Sequence, residues 1–88
     1  MLKIRRSEVE GLAVFALSGR IDHEHVSEVR NILTAESDIG KVELDLEELR
    51  LVDREAVKFL DACEVCGIKL ANCPSYIREW IETGRSRS

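Results

Sequence analysis

The chain reads as an α/β fold, a four-stranded mixed β-sheet with about three helices packed on it, in the order β-β-α-β-α-β-α. Three observations predict it. Apolar runs of strand length alternate with stretches of helical period along the whole chain. Asp22 and Asp53 each stand between a strand-like run and a helical one, where an N-cap belongs. Gly67 stands where the second helical stretch should stop.

The elements follow in order. Residues 2–6 form a short strand candidate, and the polar residues 7–11 a turn. Residues 12–18 are almost continuously apolar over strand length, the pattern of a strand buried on both faces. Gly19 marks a bend, and Asp22 caps a helix from His23 to about Glu36 whose Val26, Val29, Ile32 and Leu33 share one face. The stretch from Ser37 to Gly40 closes it. Residues 41–46 alternate strictly, with Val42, Leu44 and Leu46 on one side, as in a strand with one polar face or near a sheet edge. Asp53 caps a second helix over residues 54–66, with Ala56, Val57, Leu60 and Cys63 as its inward stripe. Residues 68–71 are a short strand. Pro74 opens a third helix, in the first turn where its missing N–H costs nothing, with Ile77, Trp80 and Ile81 as the inward stripe. The first two strands suit a hairpin, and the later ones need right-handed crossovers. Residues 1–83 read as a single domain, and the small polar residues 84–88 as a flexible tail.

Composition narrows the function. With 44% hydrophobic and 34% charged residues the chain is globular rather than disordered. The net charge of −4 and the scatter of Lys and Arg argue against nucleic acid, which selects a basic face. The longest apolar run, 12–17, is far too short to insert in a membrane, and the N-terminus lacks a signal-peptide pattern. Three cysteines, an odd number, fit reduced thiols, so a cytoplasmic location is expected.

Candidate chemistry is sparse. Cys63, Cys66 and Cys73 invite a metal or redox reading, but structural zinc takes four ligands, and the Cys63/Cys66 pair falls at the end of a helix, where the dipole does not favour a thiolate. Asp22-His23-Glu24-His25 is rich in ligand types, yet histidines two apart on a helix point to different sides. A capped helix mouth explains it, with partner contact as the functional alternative. Glu43 and Asp45 share the polar side of a strand and read as a solvated face. There is no Gly-rich phosphate loop, no Ser-His-Asp set and no nucleophile elbow, so no enzyme activity and no cofactor are expected. Arg54-Glu55 sits at a helix start, where backbone N–H groups favour an anion.

Three blocks then resemble the STAS domain, the family of sulfate-transporter and anti-sigma-factor-antagonist domains. Residues 14–22, ending Gly19-Arg20-Ile21-Asp22, look like its strand and helix entry. Residues 42–53, with Leu44-Asp45-Leu46 and Asp53, look like its hydrophobic strand, short turn and aspartate. Gly67-Ile68-Lys69-Leu70-Ala71-Asn72 looks like its last strand. The resemblance implies a non-enzymatic, bacterial protein–protein interaction module that regulates transcription or signalling by partner switching. The family carries Ser-Ser-Gly or Ser-Thr-Gly after the aspartate, and a kinase that is also the anti-sigma factor phosphorylates the second hydroxyl residue. Here these positions are Arg54, Glu55 and Ala56, so the phosphorylation-site position is occupied by Glu55. Asp22 and Asp53 match family positions beside the partner surface; the contact surface expected here is Asp22, His23, His25, Asp53, Arg54, Glu55, Lys58 and Asp61, and the partner implied by the resemblance is an anti-sigma factor with serine-kinase character. Either the domain binds constitutively, or Glu55 partly mimics a phosphoserine with one negative charge in place of nearly two. Ser18, Ser27 and Ser75 remain alternative modification sites. Homodimerisation is left open, as is service as a small accessory subunit of an ATP-driven membrane transporter.

Overall fold

The computed structural model describes residues 2–36 and 38–87. Strands β1 (Leu2–Val9) and β2 (Leu12–Ile21) lead into α1 (His23–Thr34). A 3-10 turn, Ile39–Lys41, enters β3 (Val42–Asp45), followed by β4 (Leu49–Val52), α2 (Arg54–Val65), β5 (Lys69–Ala71) and α3 (Ser75–Arg87). The sheet is mixed and has five strands rather than the expected four. Its order is β1-β2-β3-β5, and β4 also pairs with β2. Strands β3 and β4 lie one after the other along the same side of β2, both parallel to it, so the fifth strand is a second segment of one strand line. The switch coincides with a register irregularity between Gly19 and Arg20. Gly19 takes a φ of 92° at this point, and the residue skipped by the shift, Arg50, lies on β4.

The hairpin is longer than residues 2–6 suggested. Its turn is Glu10-Gly11, both at positive φ (50° and 83°), closing Val9 against Leu12. Two positive φ values in a two-residue loop are the mirror-image turn whose twist matches the flanking strands. Ser7 and Glu8, read as turn residues because they are polar, pair with Val14 and Ala13 at an exposed sheet edge.

All three helices lie on one face. Ala13, Phe15, Leu17 and Ile21 of β2 are buried there, with Val42 and Leu44 of β3 and Leu46 and Leu49 beside them. α2 lies between α1 and α3 and contributes Ala56, Val57, Phe59, Leu60 and Cys63 to that core. Each fully buried aliphatic or aromatic side chain contributes about 1.5–3 kcal/mol. Bidentate pairs pin the rims: Arg6 to Glu36 (3.1 and 3.3 Å) and Arg78 to Glu64 (2.9 and 3.0 Å).

Several sequence expectations are corrected. β2 is not buried on both faces: Leu12, Val14, Ala16 and Ser18 are only half-buried on the helix-free side. Of the two readings of β3, the strand with one polar face holds rather than the edge strand: β2 and β5 flank it, and no layer covers its polar side. Trp80 is not in the buried stripe of α3. Ile77 and Ile81 fill the core at 0% and 2% exposure, and Trp80 stays 39% exposed. Pro74 precedes the helix, its carbonyl accepting from the Ile77 and Arg78 amides. α3 continues through 84–87, residues expected as tail, while Ser37 and Ser88 lie outside the described residues.

The Gly67 stop is a two-bond cap. The Ile68 amide donates to the Cys63 carbonyl (3.0 Å) and the Gly67 amide to the Glu64 carbonyl (3.1 Å), with Gly67 at φ 103°. That is the Schellman arrangement, and the buried Ile68 and Cys63 supply its apolar contact.

Candidate functional site

The parallel register between β2 and β4 builds the site. Ile21 pairs with Val52, so the next residues, Asp22 and Asp53, emerge side by side at the same end of the sheet. Each is extended and each caps the following helix. The mouths of α1 and α2 therefore open together, with two positive dipole ends facing one region.

Asp22 Oδ1 accepts from the Glu24 and His25 amides (3.0 and 3.3 Å), and Arg20 Nη2 reaches Oδ2 at 3.1 Å. His25 completes a capping box, its Nδ1 3.4 Å from the Asp22 backbone N and 3.1 Å from Oδ1. The first contact suits a neutral ring accepting from the amide, the second a ring with a proton on Nδ1. Burial pushes the Asp22 carboxyl up, but the bonds from Arg20 and the His25 and Glu24 amides outweigh it and hold the carboxyl below its ordinary value.

Asp53 Oδ1 accepts from the Ala56 amide at 2.8 Å, while Oδ2 reaches across to α1. There it accepts from the His23 backbone N–H at 2.9 Å and lies 3.4 Å from His23 Nδ1. One carboxylate thus caps its own helix and clamps the neighbouring one. The Ala56 bond, opposed by desolvation and aided by His23, holds Asp53 below the usual carboxylate range.

Four of the sequence-selected residues therefore fall into two direct pairs, Asp22 with His25 and Asp53 with His23. Arg54 and Glu55 follow on the exposed first turn of α2, and Glu55 Oε1 lies 3.8 Å from Lys58 Nζ on the same helix. Asp61 is half-buried further along α2. Sequence reasoning missed Arg20 and the Asp53–His23 clamp. The available signal was the equal spacing of the two aspartates after strand ends, which becomes adjacency only once the parallel register is known.

The cysteines do not form a site. Burial pushes the Cys63 thiol up to about 11 and raises that of half-buried Cys73, so both favour the protonated, unreactive form. Cys66 is exposed at the C-cap of α2. No group of three or more His, Cys, Asp or Glu is arranged around a metal position among the described residues. No helix among them is long and apolar enough to cross a membrane.

No protein-family profile matches the chain, and no curated protein does. Solved structures do. An anti-sigma factor antagonist from Mycobacterium paratuberculosis superposes with a TM-score of 0.73 at 19% identity, over 99% of this chain and 81% of that one. The anti-sigma factor antagonist SpoIIAA, in its unphosphorylated form, gives 0.64 at 20% identity, over 93% and 82%. An antisigma-factor antagonist STAS domain from Rhodobacter sphaeroides gives 0.54 at 12%, over 81% and 86%. The fold is that of the STAS domain. In this chain the helix-capping aspartates Asp22 and Asp53 lie within residues 14–22 and 42–53, two of the blocks that resemble the family.

Proposed function

We propose that this protein is a non-enzymatic bacterial regulator that binds a protein partner across the paired mouths of α1 and α2. In this reading it acts in the cytoplasm as an anti-sigma-factor-antagonist-like module, and its partner is an anti-sigma factor with serine-kinase character. The observation that carries the reading is the Asp53 clamp, which fixes the two mouths as one rigid surface bearing His23, Arg54 and Glu55. Structural likeness to anti-sigma factor antagonists supports the class of partner.

We further propose that binding is constitutive rather than switched at this mouth. Neither Arg54 nor Glu55 has a hydroxyl to phosphorylate. Glu55 is also a poor stand-in for phosphoserine. Its carboxylate leans toward Lys58, and Asp53, not Glu55, takes the Ala56 amide of the first turn.

The test is capture of the tagged protein from its native cells with mass spectrometry of what co-elutes, beside a Lys58→Glu variant. A kinase-like anti-sigma protein recovered with the wild type and depleted with the variant supports the reading. Transporter subunits in its place would refute it. With the partner in hand, Arg54→Ser with Glu55→Ser should create a phosphorylation site without changing the affinity of the unphosphorylated form. A rise in affinity on that substitution alone would mean that Glu55 had been mimicking phosphate.

A further inference from the structure

The helix-free face of the sheet carries a pattern that its own chain does not satisfy. Along β2, Leu12, Val14 and Ala16 point to that face, half-buried and without a covering layer. A central strand that is apolar on both faces belongs in a sheet covered on both faces. This one is covered on one.

Charge is arranged about that apolar strip in two rows. On the β1 side, Lys3 pairs in register with Ser18 and Arg5 with Ala16. On the other side, Asp45 is level with Ala16, and Glu48 is level with Gly19 through its carbonyl bond to the Gly19 amide. Glu47 lies between them. The rows bound a groove of about 530 Å³ floored by Ala16 and Ser18. Lys3, Arg5, Glu47 and Glu48 are exposed, and among the described residues their side chains make no ion pair. The basic row is therefore on one side of β2 and the acidic row on the other, at matching heights.

We propose that this face pairs with the same face of a second copy, about a two-fold axis lying between the sheets and parallel to β2. Such an axis keeps each residue's height along the strand and exchanges left for right. It sets Lys3 and Arg5 of each copy over Asp45, Glu47 and Glu48 of the other, and Leu12, Val14 and Ala16 over their own counterparts. Stacked sheets pack about 10 Å apart in this aligned manner. An unrelated partner would need the complementary rows at the same heights; a second copy has them by construction.

Size sets the strength. At ~3.3 Å per residue and ~4.8 Å per strand, the bare face covers on the order of 500 Å² per copy. The pair then buries roughly 1,000 Å² in total, the lower bound for a specific interface, so a weak, concentration-dependent dimer is expected.

Sedimentation equilibrium over a concentration series, with charge reversal, tests this. Lys3→Glu with Arg5→Glu makes the face acidic on both sides, and Glu47→Lys with Glu48→Lys makes it basic. All four side chains are exposed, so unchanged circular dichroism and melting will show that the variants fold. Each variant alone should self-associate at least about tenfold more weakly than wild type, by like-charge repulsion across the pair. An equimolar mixture of the two should form a heterodimer. Raising the salt concentration should weaken both the wild-type and the mixed dimers. A wild-type protein that stays monomeric at millimolar concentration overturns the proposal. So does a variant that self-associates as well as wild type, or a mixture that stays monomeric.

Discussion

Replacing Asp53 by alanine removes two contacts at once. The Ala56 amide loses its cap at 2.8 Å and the His23 amide loses its acceptor at 2.9 Å. A lost N-cap costs about 1 kcal/mol, within a range of roughly 0.5–2. The second bond adds about 1 kcal/mol, because a typical intramolecular hydrogen bond contributes that much net. A loss of about 2 kcal/mol lowers the melting temperature of a domain this size by roughly 8–16 °C. Asp53→Asn keeps an acceptor for one amide and should lose about half as much. Thermal melts followed by circular dichroism at pH 7 measure both. The sign with pH is fixed by the lowered pKa of Asp53. Its contribution is fully present above the unfolded carboxyl value of about 3.9 and is lost as pH falls through the folded value. The gap between wild type and Asp53→Asn should therefore close on acidification below about pH 4. A melting temperature for Asp53→Ala within about 2 °C of wild type at pH 7 would refute the clamp, since that shift corresponds to under 0.5 kcal/mol.

Other outcomes follow from the core, the turn and the thiols. Ile77→Ala should cost about 2–5 kcal/mol, because its side chain is fully enclosed. Trp80→Ala should cost less than Ile77→Ala despite removing more atoms, and urea titration of the pair will rank them. Glu10→Asn should stabilise by about 0.5–1 kcal/mol, since asparagine tolerates the positive φ of this turn better, and a higher urea midpoint with unchanged slope is the readout. In native protein near pH 8, a thiol reagent should label exposed Cys66 first and Cys63 last, with Cys63 reacting freely only after unfolding.

The fold class, the helix positions and both aspartate caps were legible because local chemistry decides them. Asp22 and Asp53 cap the helices that their following residues demanded, and Gly67 stops α2 by a backbone geometry that favours glycine. β4 was not legible. Leu49-Arg50-Leu51-Val52 is too short to show a period, and it becomes a strand only because β2 extends far enough to pair with it. Ser7 and Glu8 were misread because an edge strand facing solvent has the composition of a turn. Trp80 fell on a helical stripe wider than the neighbouring elements could cover. In the candidate site each capping residue could be found singly. The bridge between them joins residues 30 positions apart and depends on a register that no local pattern encodes.

The division of β2 between one antiparallel and two parallel partners has a consequence for biosynthesis. β1 and β2 are joined by two residues and can zip within microseconds of being exposed. Every other pairing of β2 waits for a crossover: Ala13 meets Val42, and Gly19 meets Leu49. During translation the hairpin must persist with its apolar side chains uncovered while tens of further residues are made, at about 5–20 per second. Lys3, Arg5, Arg6 and Glu8 line its free edge through that interval, and charge on an edge strand discourages pairing with a neighbouring chain. The same residues that give β1 a poor strand signature keep the nascent hairpin apart from others until its helices arrive.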